Sequence, residues 1–102
     1  MKEIYKEIDN LKNDLIDLSL QIHSNPEIKW QEFSAVKNIE TLLNKYNIQI
    51  NKVKDLPTAF TASIKGNSKG PVIALLAEYD ALPGIGHACG HNLIAITNIG
   101  AF

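Results

Sequence analysis

A chain of 102 residues with 45% hydrophobic and 21% charged side chains has the size and composition of one small globular domain, with a real but modest core. Ten basic residues against eleven acidic ones, with no Lys/Arg cluster, argue against nucleic acid or an anionic membrane surface as a partner. No segment approaches the roughly 18 apolar residues of a membrane span, Met1 to Glu7 lacks the apolar core of a signal peptide, and a single cysteine closes no intrachain disulfide, so a cytoplasmic protein is expected.

From the N-terminus, Ile4, Ile8, Leu11, Leu15, Leu18 and Ile22 recur at spacings of four and three, the apolar stripe of an amphipathic helix. Asn25-Pro26 is expected to end it, since the residue before proline is pushed out of the helical region. The same stripe fits a short coiled coil. A second helix is predicted from about Gln31 to Tyr46, buried through Phe33, Val36, Ile39, Leu43 and Tyr46, with Trp30 packed between the two helices.

The period then changes. Ile48, Ile50 and Val53 predict one strand, and Phe60, Ala62 and Ile64, alternating with polar residues, predict another. Gly66 to Gly70 reads as a turn. The continuous apolar run Val72 to Ala77 has the look of a strand buried on both faces, which requires helices above and below a sheet. A loop from Glu78 to His91 follows, and then an apolar helix from Leu93 with Asn92 as its cap. The fold class expected is α/β, and its ligand sites lie outside the carboxyl ends of the strands.

The chemistry gathers in that loop. Gly84-Ile85-Gly86-His87-Ala88-Cys89-Gly90-His91-Asn92 holds the only cysteine and two of the three histidines, and thiolate and imidazole are the donors that zinc prefers. Cys89 and His91 share a metal only if Cys89-Gly90-His91 is not helical. His87 and His91, four apart, suit a helical zinc pair, which the glycines disfavour. The preferred reading is Cys89 plus His91, with His87 beside them as a supporting or substrate-side group. A buried, inert cysteine, a redox-sensing one and a Cys-His nucleophilic pair are the competing readings. Glu78 and Asp80 are read as facing opposite ways unless the strand has already ended, one meeting the metal and the other orienting a ligand, and the plain alternative is that Asp80 caps a turn ahead of Leu82-Pro83. His23 is read as a helix terminator.

The stretch "AEYDALPGIGHACGHNLIA", preceded by "IHSNPEIKWQE", resembles the co-catalytic metallopeptidase and aminoacylase family, most closely its aminobenzoyl-glutamate hydrolase and dipeptidase-like branch. The resemblance implies a three-layer α/β/α catalytic domain, two N-terminal helices followed by strands of a mixed sheet, of which residues 1–102 form a truncated N-terminal part. It implies Cys89 and His91 as ligands in a centre of two divalent ions, zinc or manganese, with Asp80 supporting the centre and Glu78 and His87 as further candidates. It further implies hydrolysis of the amide bond of N-acyl amino acids, dipeptides or similar conjugates, and a homo-oligomer through an inserted dimerisation domain. The Glu-Glu pair and later ligands of the family are not in this chain, so an inactive fragment is expected. The competing function is a small non-catalytic binding or assembly module that docks through its first helix.

Overall fold

The computed structural model describes all 102 residues. Three helices, α1 (Lys2–Ser24), α2 (Phe33–Lys45) and α3 (His91–Ala101), accompany one antiparallel hairpin, β1 (Asn51–Val53) and β2 (Leu56–Thr61). This is an incomplete α/β unit. No helix is long and apolar enough to cross a membrane.

Helix α1 packs on both α2 and α3, and β2 lies against α2. Leu18, Ile22, Ala35, Ile39, Leu43 and Ala95 form the core, with Ile22 and Ile39 fully enclosed. Each of those two contributes about 1.5–3 kcal/mol by leaving water. Only 13 of the 102 residues are buried, so a few such side chains carry the fold. The stripe of α1 is covered only toward its C-terminal end, and Ile4 and Ile8 remain exposed. Helix α3 approaches α1 closely at Gly100, where a β-carbon would stand 2.8 Å from Leu15 Cδ1.

Helix α2 begins two residues later than its periodicity predicts, and the cause is a distant carboxylate. Glu27 accepts hydrogen bonds from the backbone N–H groups of Ser34 (3.0 Å) and Ala35 (2.8 Å), two of the donors that a helix start leaves unpaired. The negative charge also sits favourably at the positive end of the helix dipole. The backbone reverses ahead of this cap with Trp30 at φ +71°, which turns its indole outward at 65% exposure. Trp30 is therefore not an interhelical packing residue. Phe33 and Tyr46 are exposed as well, and the Tyr46 hydroxyl and Lys45 ammonium both donate to Asp14 on α1 at 2.6 Å.

The hairpin is shorter than its alternation predicts. Asn51 pairs with Thr61 and Lys52 with Phe60, and an irregularity after Lys52 sets Val53 opposite Leu56. Ile48, Ile50 and Ala62 join the core from outside the ladder. The run Val72 to Ala77 forms no strand. No neighbouring strand pairs with it, and Val72, Ile73 and Leu76 are 97%, 82% and 78% exposed. Its apolar composition satisfies the pattern of a buried strand, but burial needs a partner that the rest of these residues do not supply. At α3 the residue in the N-cap position is Gly90 (φ +80°), not Asn92. The Asn92 amide instead donates to Ser19 Oγ at 3.1 Å, a buried bond that ties α3 to α1.

Replacing Glu27 by Ala removes the acceptor for two helix-start donors. The expected cost is about 1–2 kcal/mol, read as a lower midpoint in urea denaturation. Glu7→Ala, on the exposed face of α1, is expected to stay within about 0.5 kcal/mol.

Candidate metal centre

The segment before the glycine-rich loop is extended, so successive side chains leave it on opposite sides. Tyr79 goes inward: its hydroxyl donates to the Thr58 carbonyl and its ring stacks on Phe60 with centroids 6.2 Å apart. Its two neighbours are thereby sent the other way together. Glu78 and Asp80 both reach His91, which corrects the expectation that they face opposite ways. Residues two apart share a face of an extended segment.

The imidazole of His91, at the first position of α3, is bracketed by the two acids. Nδ1 stands 2.8 Å from Asp80 Oδ1 and 3.0 Å from the Asp80 carbonyl, while Nε2 stands 3.2 Å from Glu78 Oε2. Every one of these partners is an acceptor. The arrangement is satisfied by a proton on each nitrogen, or by a proton on Nδ1 and a cation at Nε2. In the second case Asp80 fixes the tautomer and aims the ring, as outer carboxylates do for ligating histidines. Two donors on one tetrahedral zinc ion, each bonded at 2.0–2.1 Å, stand about 3.3 Å apart. The Nε2 to Oε2 separation matches such an edge.

Cys89 is exposed, with its sulfur 3.8 Å from the same Asp80 carbonyl that faces His91. Gly90 lies between them in the left-handed region, where other residues are strained, and this bend lets Cys89 and His91 turn toward one carbonyl. The structure thus gathers Glu78, Asp80, Cys89 and His91 around the end of the extended segment. No three of their side chains stand close enough to hold one ion between them. The fit to a metal therefore lies in the chemistry of the donors and in the single edge from His91 to Glu78.

His87 behaves differently. It is buried at 8% exposure and makes no hydrogen bond to any of these four residues. Burial, and then the nearby His23 and His91 rings, push its pKa below the ordinary histidine value, against opposing pulls from the Ile22 carbonyl and the Asp80 carboxylate. Its ring stands against His23.

Two residues that organise the site have no signal as ligands in the sequence. Tyr79 sets the direction of both acids, and a tyrosine between two acids in an extended stretch is the pattern that marks it. Glu27 also holds the site, because its backbone carbonyl accepts from the Ala81 N–H at 2.7 Å and Ile28 bridges Ala81 in parallel. The loop beyond is closed by Leu82 N–H donating to the Gly86 carbonyl at 2.9 Å.

No family model matches the chain. Among curated proteins it is similar to thermostable carboxypeptidase 2 of Saccharolobus solfataricus, at 35% identity over 83% of this chain and 27% of that protein. It is similar to N-acetylcysteine deacetylase of Bacillus subtilis, at 37% identity over 84% of this chain and 26% of that protein. It is also similar to a chain of the p-aminobenzoyl-glutamate hydrolase of Escherichia coli, at 35% identity over 92% of this chain and 24% of that protein. The chain spans about a quarter of the length of these relatives.

Burial, with a smaller contribution from Glu32, pushes the Tyr79 hydroxyl up to about 12. The unfolded chain loses this proton near pH 10 while the folded chain keeps it, so stability is expected to fall as pH rises from about 10 to 12. A phenolate absorbance titration of the three tyrosines should show a step near pH 12 alongside the Tyr46 hydroxyl, which its hydrogen bond to Asp14 also pushes up, and Tyr79→Phe should remove the step near 12.

Proposed function

The chain belongs to the amidohydrolase family of these carboxypeptidases, deacetylases and hydrolases, and from that premise we propose that it serves as part of the catalytic domain of a metal-dependent amidohydrolase. The substrate class is an N-acyl amino acid, a dipeptide or a similar conjugate with a hydrolysable amide. The observation that carries this reading is the His91 ring held between Asp80 and Glu78, with Cys89 turned to the same carbonyl.

Cys89 and His91 would supply the ligands for divalent metal, zinc or manganese, and Glu78, at the Nε2 edge of His91, is a further candidate. When bound, such an ion polarises the scissile carbonyl and makes hydroxide available near neutral pH. The chain's own residues prepare the place. Asp80 holds the proton on His91 Nδ1, so that the Nε2 lone pair points outward. Tyr79 keeps both acids on the side of His91, and Gly90 keeps Cys89 and His91 from diverging along a helix.

Hydrolysis further requires a carboxylate that takes a proton from the attacking water and returns it to the leaving nitrogen. Asp80 is committed to His91, and Glu78 is a candidate ligand, so neither is free for that work. The 102-residue chain by itself is therefore proposed to bind metal without turning over amides.

Cobalt(II) titration tests the ligand set, since a thiolate ligand gives a charge-transfer band. The band is expected with the wild-type chain and absent with Cys89→Ser. Asp80→Asn should weaken metal affinity by about 10–100-fold while leaving the band in place at saturation. A wild-type chain without the band would remove Cys89 from the centre. For catalysis, the chain is incubated with an N-acetyl amino acid and zinc. No release above the zinc-only control is expected, and release abolished by a chelator would refute the proposal that the general base is missing.

A further inference from the structure

The run Val72 to Ala77 stands on the surface with its main chain unused. None of its N–H or carbonyl groups bonds to the rest of the fold, and Val72, Ile73 and Leu76 lie largely in water. Tyr79 fixes which way its side chains leave. The alternation that sends Tyr79 inward and Glu78 and Asp80 outward, carried back along the run, puts Ile73, Leu75 and Ala77 on the inner side. Val72, Ala74 and Leu76 fall on the outer one. Leu75 and Ala77 are accordingly the best covered of the six. Both edges of the run are open to a strand of another chain, the setting in which main-chain pairing between molecules is favoured.

We propose that this run is a self-association edge, on which a second copy of the chain pairs antiparallel about a two-fold axis at Ala74. Such an axis, normal to the ribbon, sets residues of one face opposite each other, so one residue meets its own counterpart. With Ala74 at the axis, Val72 stands opposite Leu76 on the outer face and Ile73 opposite Leu75 on the inner one. Every bulky side chain then has an apolar partner across the ribbon. An axis one residue further on, at Leu75, would set Val72 against Glu78 instead. Pro71 fits the first register, because its missing N–H falls where that group points away from the partner. Val72, Ala74 and Leu76 of each copy are left to exchange about six hydrogen bonds. Charge selects the direction. In a parallel, in-register pair Glu78 and Asp80 would face their own counterparts, whereas the antiparallel copy offers them Gly70 and Ser68, on either side of Lys69.

A single strand pair is a small interface, so a dissociation constant of about 10–500 μM is expected. Sedimentation velocity of the wild-type chain should show the mass rising from 11.3 kDa toward twice that value as concentration increases. Ala74→Pro removes the central N–H and should hold the chain monomeric throughout. That N–H bonds nothing within the chain, so the urea midpoint in dilute solution should not move. Cysteine crosslinking reads the register. In a Cys89→Ser background, Ala74→Cys sets two α-carbons about 5.5 Å apart across the axis, within disulfide reach. Val72→Cys sets them about 14 Å apart, beyond it. Oxidation should therefore link copies of the first variant and not of the second. A wild-type chain that stays monomeric to about 1 mM, one that grows past a dimer, or equal crosslinking at both positions would overturn the proposal.

Discussion

The structure hangs on Glu27. It follows the proline that ends α1, and it works at both ends of its own length. Its carboxylate starts α2, and its backbone carbonyl anchors Ala81, next to Asp80. The orientation of α2 and the position of the acidic segment are thereby set by one residue. Helix starts are usually capped from within a residue or two. Here the cap comes from seven and eight residues upstream, so it also fixes the path of everything between. The outward Trp30 and its positive φ are consequences of that path.

The site rests on a second constraint of the same kind. Tyr79 is anchored to β2 through its hydroxyl and its ring, and alternation then delivers Glu78 and Asp80 to one side. A bracket of two acids around one imidazole concentrates three polar groups on a partly exposed patch. The buried Asn92–Ser19 bond seats the first turn of α3 on α1, which holds His91 at the height of the acids. The placement of His91 is thus settled by contacts made by its neighbours on either side of the ring.

Much of this was legible in the residues. The first two helices follow from apolar spacing, because that spacing records which face is covered, and the third follows from the apolar segment after the loop. The functional cluster follows from its rarity: one cysteine and two histidines framed by glycines have few structural uses. What was not legible depends on contacts far apart in the chain. Nothing near Gln31 announces that Glu27 will start the helix, and nothing near His87 announces a buried ring beside His23. The relative direction of Glu78 and Asp80 was within reach of the strand period, and Tyr79 is the residue that makes the answer firm. The apolar run from Val72 misled for a different reason. Composition reports what a segment tolerates, and a partner strand decides whether it becomes one.

That run has a consequence for the molecule in solution. Val72 to Ala77 carries six consecutive apolar residues, no charge and no proline, and its main chain makes no hydrogen bond to the rest of the fold. These are the properties of segments that stack into cross-β assemblies, in which identical strands from many copies pair along a fibril axis. Pro71 at one end and Glu78 and Asp80 at the other are gatekeepers, since a missing N–H and two like charges oppose in-register stacking. The two acids that orient His91 therefore carry a second burden. Substituting them by neutral residues would remove a charge repulsion that opposes the in-register pairing of copies along this segment.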